Sequence, residues 1–204
     1  MSLLGKLISL YPALHVSIIL VSLVWLVFEP GLIPLLTIPG VIYLFPLLSY
    51  HFHQVLAPVE EGDSSITGGY SPWYGTHMIQ TVFIAFPGTE RILRLFPGLF
   101  ALWLRCWGSR VGRNVYWTSH FELADRGLLE IGDNVVFGYN AKVSCHFISP
   151  SRELGLKLYT KKCVLEDGAF IGAAARLAPG VRVCRGALVK AATDVYPDTV
   201  VEKK

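Results

Sequence analysis

A small set of polar side chains in the second half of the chain has the types and spacing to do chemistry. His120 and Glu122 sit together in WTSHFE, Asn140 follows, and Cys145-His146 precedes a loop carrying Arg152 and Lys157. Imidazole titrates near neutral pH, so either histidine suits proton transfer to or from an attacking amine or hydroxyl. A carboxylate such as Glu122 suits orienting an imidazole or an amine, and Arg152 and Lys157 suit a phosphate or a carboxylate. Plainer roles stand beside these: a turn cap for His146, solvent exposure for His120 and Glu122, a solvated loop face for the two cations. Neighbouring side chains on a strand face opposite ways, so if His146 faces a site Cys145 points inward, as a structural thiol and not a nucleophile.

What must position these residues is a repeat. From Leu165 in steps of six the chain reads Leu165, Ile171, Leu177, Val183, Val189, Val195 and Val201, all aliphatic. The fifth place of each hexad is restricted too: Ala169, Ala175, Val181, Ala187, Thr193, Thr199. A period of six matches neither the helical 3.6 nor the strand period of 2, and fits a three-sided coil of short strands and turns, stacked by parallel hydrogen bonds. Upstream, IGDNVV, FGYNAK and VSCHFI continue the pattern, and VGRNVY from Val111 is an earlier hexad. The register shifts by two near Asp125-Arg126-Gly127 and is interrupted from about Phe147 to Lys162, where a loop is ejected.

The first half is of another kind. Hydrophobic residues make up 52% of the 204-residue chain and charged residues 16%. Residues 1–89 hold one basic residue, Lys6, and the acids Glu29, Glu60, Glu61 and Asp63; the rest of the chain balances to +6. Leu7 to Phe28 carries no formal charge over 22 residues, enough for a spanning helix and too long for a cleavable leader. Residues 30–59 form a second uncharged run, broken by Pro34, Pro39, Pro46 and Pro58, and read as a kinked second span or a re-entrant segment, together a helical hairpin. Residues 60–75 read as a polar loop. Thr76–Phe86 and Leu95–Trp107 are too short to span; with Arg91, Arg94, Arg105, Arg110 and Arg113 around the second, both read as interfacial helices or as helices packed on the β-domain. The arginines place this end on the cytoplasmic side of a cell (inner) membrane. The expected division is therefore residues 1–59 as a transmembrane hairpin, 60–108 as loop and interfacial helices, and 109–204 as the coil with its loop near 147–162.

Composition excludes other classes. The cysteines Cys106, Cys145, Cys163 and Cys184 form no CxxC pair, so structural zinc is not expected. The mild basic excess suits an anionic lipid surface or a phosphate-bearing ligand, and no recognition motif points to nucleic acid. His51 and His53 read as interfacial side chains at a membrane edge.

IGDNVVFGYNAKVSCH, a loop, then LEDGAFIGAAARLAPGVRVCRGALV resembles the hexapeptide-repeat acyltransferases over residues 111–201. That resemblance implies a mainly β fold, a left-handed parallel β-helix, here with N-terminal transmembrane and interfacial α-helices. It implies a homotrimer with sites at the clefts between subunits, and an acyl thioester donor: acyl-CoA, or the phosphopantetheine thioester of an acyl carrier protein; on this acyl-transfer reading no metal is expected. By resemblance His146 is the general base, with His120 and Glu122 assisting or orienting. Asn140, Arg152 and Lys157 would bind substrate, while Gly172, Ala173, Gly186 and Lys190, with Lys203 and Lys204, would meet the cofactor. The membrane helices, FPGLFALWLRCWGSRVGRNVYW and HFISPSR are similar to the membrane-embedded C-terminal repeats of ε-poly-L-lysine synthetase-like proteins, which implies transfer of an activated carboxyl group to an amine and an acyl carrier or synthetase partner. One departure stands out: VKAATDVYPDTVV replaces the family's GAGSVVTKDVPP-like stretch, which puts free CoA in doubt against a carrier thioester or acyl-adenylate. The γ-carbonic-anhydrase type shares the fold but needs three converging histidines, and only His120 and His146 lie in the repeats. The remaining alternative is a non-catalytic trimeric membrane scaffold.

Overall fold

The computed structural model describes Ser2–Lys203; Met1 and the expected donor contact Lys204 lie outside the described residues. Its contacts define two compact units, Met1–Val59 with Ile66–Ala85, and Glu60–Ser65 with Phe86–Lys204. Residues 60–108, expected as one piece, are thus divided between the units.

The first unit is helical: α1 (Leu3–Ile8), α2 (Tyr11–Phe28), α3 (Leu32–Pro39), a π-helical turn (Gly40–Leu44), α4 (Phe45–Leu56) and α5 (Pro72–Ala85). Leu3–Phe28 and Leu32–Leu56 are each long and apolar enough to cross a membrane by length and composition. The second is continuous through its prolines because the chain changes its hydrogen bonding around them. At the π turn Phe45 N donates to Gly40 O instead of Val41 O. The next donor in that pattern would be Pro46, which has no N–H. Val41 O is therefore left without a helical donor, and His15 Nε2, wholly buried on α2, supplies one at 2.9 Å. Helix α5, read as interfacial, instead packs against α2 and α4 with Trp73, Ile79, Val82 and Phe83 buried, since its apolar residues surround more than one face.

In the second unit the chain visits three parallel ladders in rotation. The first contains β2 (Arg110–Val111), β4 (Leu129–Ile131), β9 (Cys163–Leu165), β12 (Arg182–Val183) and β15 (Val200–Val201). The second contains β5 (Val136–Phe137), β10 (Phe170–Ile171) and β13 (Leu188–Val189), and the third β3 (Glu122–Leu123), β6 (Lys142–Val143), β11 (Arg176–Leu177) and β14 (Asp194–Val195). Partners on the last coils are 18 residues apart, as in Ile171↔Val189. On the first coils they are 20 apart, as in Leu123↔Val143, which absorbs the insertion at Asp125-Arg126-Gly127. The aliphatic residue of each hexad points inward: Leu165, Ile171, Leu177, Val183, Val189 and Val195 are all buried. Corner residues stack in columns with positive φ, such as Asn140, Ala174 and Ala192. Between coils the backbones approach so closely that a Cβ on Gly172 would collide with the backbone nitrogen of Ala191.

A solenoid end must be covered. α6 (Gly88–Arg94) leads into α7 (Leu99–Cys106), which lies on the first coil with Phe100, Trp103 and Leu104 buried, followed by the buried Trp107. Phe100 meets Trp117 edge-on, and Trp117 stacks on Phe137 at 4.9 Å. Leu95, Phe96 and Leu102 on the same stretch stay exposed.

The ejected segment is an antiparallel hairpin of β7 (His146–Ser151) and β8 (Gly155–Thr160). Residues 60–75, read as a loop, supply β1 (Gly62–Ser65), which pairs along β8. The polar GDSS has little strand preference of its own; the open edge of β8 imposes the conformation. The hairpin is tied to the last coil by Asp198, whose carboxylate accepts from Tyr159 OH at 2.7 Å and Lys161 Nζ at 2.6 Å.

Two outcomes follow. Ile171→Ala should lower the unfolding free energy by about 2–5 kcal/mol, read by chemical denaturation of the full chain. The Lys161 and Tyr159 hydrogen bonds hold the Asp198 carboxyl below its ordinary 3.8. A carboxyl depressed on folding stabilises above its unfolded value and loses that contribution as pH falls through the folded one. Asp198→Asn should therefore narrow the stability gap to wild type as pH is taken below 3.8, seen by thermal unfolding across pH.

Candidate active site

His146 opens β7 where the chain leaves the coil, between the last inward side chain of its turn and the hairpin. Its Nδ1 lies 2.8 Å from Asp125 Oδ2. Asp125 comes from the two-residue insertion one coil earlier, and its side chain is 4% exposed against 16% for His146. The same Oδ2 accepts from Cys145 N at 2.8 Å. An ionised carboxylate only accepts, so the neutral ring carries its proton on Nδ1 and its lone pair on Nε2. Ser144 Oγ donates to His146 O at 2.8 Å, which fixes the backbone of the same residue. Cys145 points inward, fully buried, as alternation predicts; burial pushes its thiol well up, so it is not a nucleophile.

His146 lines an open crevice of about 400 Å³ on the flank of the third ladder. Its walls are apolar, from Phe147, Leu177, Pro179, Val195 and Tyr196, with Ser144, Arg176 and Asp194 adding polarity. Arg176 Nη2 donates to Asp194 Oδ2 at 2.7 Å, so the crevice presents a paired cation and carboxylate.

Among the expected residues only His146 lies on this crevice. Glu122, read as its orienting carboxylate, instead pairs with Lys142 Nζ at 2.7 Å on the outside of the third ladder, because Leu123 takes the inward place. The His120 ring packs tilted against Tyr139, centroids 4.8 Å apart, and bonds Ser119 Oγ. Asn140 turns a corner at φ 56°. Lys157 is paired with Asp63 of β1 at 2.7 Å, and Arg152 is exposed in the hairpin turn. Gly172 is buried where coils stack, Gly186 turns a corner at φ 64° beside the Lys203 side chain, and Ala173 and Lys190 are exposed. Sequence reasoning passed over Asp125, Ser144, Arg176, Asp194 and Tyr196. For Asp125 a signal existed: the register shift makes the coil 20 residues long, which stacks Asp125 beneath Cys145, next to His146. Among the described residues no group of histidine, cysteine or acidic side chains is arranged to hold a metal ion.

The three-sided parallel coil of hexads ejects its loop at a carboxylate-held imidazole, and over part of its length the chain is similar to a curated relative. That relative is the galactoside O-acetyltransferase of Lactococcus lactis subsp. lactis (strain IL1403), 30% identical over 95 residues, 44% of this chain and 46% of that protein. The chain thus spans about half the length of the curated relative it matches. No family model matches the chain. Among solved structures, a hexapeptide-repeat acetyltransferase from Vibrio cholerae is 18% identical, covering 58% of this chain and 85% of that one with a TM-score of 0.40. A galactoside acetyltransferase in complex with coenzyme A is 16% identical, covering 58% and 76% with a TM-score of 0.38.

In Asp125→Asn the amide oxygen can stay where Oδ2 accepts from both Cys145 N and Nδ1, so the variant removes the charge that stabilises the imidazolium and keeps the ring tautomer. Asp125→Asn should cut turnover on the order of 10²–10³-fold, with the Nδ1-protonated form retained in ¹⁵N-histidine NMR spectra.

Proposed function

We propose that the chain is a membrane-anchored acyltransferase, its coil a left-handed β-helix that assembles as a homotrimer, with His146 as general base. The observation that carries this reading is the imidazole of His146, held by a nearly buried carboxylate at 2.8 Å and lining an open crevice. Nε2 takes the proton of an acceptor hydroxyl or amine as that group attacks the donor thioester carbonyl. The C–S bond breaks, and the proton passes from imidazole to the departing thiolate. Backbone amides hold the developing oxyanion. Acetyl-CoA is the proposed donor, in keeping with the activity named for the Lactococcus lactis relative. A second copy placed along the crevice would close it and keep water from the thioester.

Anchoring is supported by Leu3–Phe28 and Leu32–Leu56, whose side chains are mostly exposed to the surroundings, as at Val27 (76%) and Val55 (82%). Such surfaces are stable in lipid and costly in water. In the second unit the exposed Leu95 and Phe96, with Leu102 on α7, form a further apolar surface of the kind that suits a membrane interface, and a cytoplasmic coil is part of this reading. An anchor of this kind fits a lipophilic acceptor or product.

The test is transfer of radiolabelled acetyl from acetyl-CoA by purified full-length protein in lipid nanodiscs. His146→Ala should lose about 10²–10⁴-fold in kcat while oligomeric state and circular dichroism stay as in wild type. Equal rates in the two proteins would leave the scaffold reading standing instead.

A further inference from the structure

Arg126 is 1% exposed, an unusual place for an arginine, and Glu90 of α6, 3% exposed, grips it at both ends. Arg126 Nε donates to Glu90 Oε1 at 2.7 Å and Nη2 to Oε2 at 2.9 Å. Trp103 Nε1 of α7 donates to the same Oε1 at 2.9 Å. Taking two charges out of water is costly, and apolar replacements of such a pair are often no less stable. Stability is therefore a weak reason for this pair, and its geometry is a stronger one.

Arg126 directly follows Asp125. Residues 125–127 belong to none of the ladders; the last strand bond before them is Ala124 N to Val143 O at 3.2 Å. The backbone just beyond Asp125 is held by one turn bond, Leu128 N to Asp125 O at 3.4 Å, and by side chains. Ser109 Oγ donates to Arg126 O at 2.6 Å and accepts from Leu129 N at 3.0 Å. Arg126 is thus fixed at its carbonyl by Ser109 and at its guanidinium by Glu90, and the residue it fixes is the one whose carboxylate meets His146.

We propose that Glu90 and Arg126 are positioning residues, with Trp103 and Ser109 as their supports, that set the Asp125 carboxylate on His146 Nδ1; this rests on the reading of His146 as the base. A misplacement of about 1 Å is enough to cost on the order of 10²-fold in rate. The pair also makes α6 part of the site's framework, although no residue of α6 lines the crevice.

The experiment uses the full chain in nanodiscs with Glu90→Met/Arg126→Met, which removes both charges and leaves neither buried alone. The expected result is a kcat lower by about 10–100-fold at unchanged KM for donor and acceptor, with circular dichroism retained. In ¹⁵N-histidine spectra the Nδ1-protonated His146 signal should be lost. A folded double variant with wild-type kcat and an intact His146 signal overturns the proposal. Should that variant fail to fold, Trp103→Phe and Ser109→Ala decide: a fall in kcat at constant KM supports it, and unchanged kcat and spectra overturn it. If wild-type protein transfers no acetyl group, the base reading fails by itself. The spectra then still decide the positioning: loss of the Nδ1-protonated form in the double variant upholds it, persistence overturns it.

Discussion

A chain that closes a three-sided turn every 18 residues leaves inside it room for one aliphatic side chain per face, and that steric limit organises the rest of the second unit. Once Leu165, Ile171 and Leu177 fill the interior, the residue before each is turned outward, and ladder bonds stack it on its counterpart a coil away. The outside of the coil becomes a lattice of short charge pairs between successive turns. Arg182 reaches Glu166, Arg185 reaches Asp167, and Arg176 reaches Asp194. Exposed as they are, each contributes little to stability, but like charges in those positions would penalise a slipped register.

The same rigidity makes the one irregular turn valuable. Two extra residues cannot enter the interior, so Asp125 and Arg126 are extruded, yet both end up shielded from water. One carboxylate oxygen serves both the Cys145 amide and the His146 ring, while the neighbouring guanidinium is spent on Glu90. A polar cluster of this density is tolerable only when its members are satisfied, and here the partners come from the coil, from α6 and from α7.

Much of this was legible in the sequence, and the reasons for the failures are physical. The aliphatic period from Leu165 to Val201 announced the ladders because only inward positions feel the narrow interior. The imidazole at the point of ejection was legible as well. Its carboxylate partner was not found, because Glu122 and Asp125 look equivalent until the length of their coil is counted. Corner residues such as Asn140, and stacking residues such as Gly172, resemble ligand contacts in sequence and serve backbone geometry in the structure. The strand at Gly62–Ser65 had no signal at all, since its conformation is set by an edge about a hundred residues away, with Lys162 N donating to Glu61 as it arrives. The prolines of the second apolar run suggested a break, and the π turn with its imidazole on Val41 O removed the need for one.

The path of the chain has a practical corollary. Polypeptide passes from the helical unit to the coil at Val59, returns after Ser65, and crosses again after Ala85. The β-domain is therefore not a simple C-terminal appendage. Shortening the protein from its N-terminus to Ala85, the obvious way to obtain a water-soluble fragment, would strip the outer strand from the hairpin and leave Lys157 without Asp63. A soluble version would have to carry Glu60–Ser65 along, grafted back beside Gly155–Thr160 by a linker or a permuted connection.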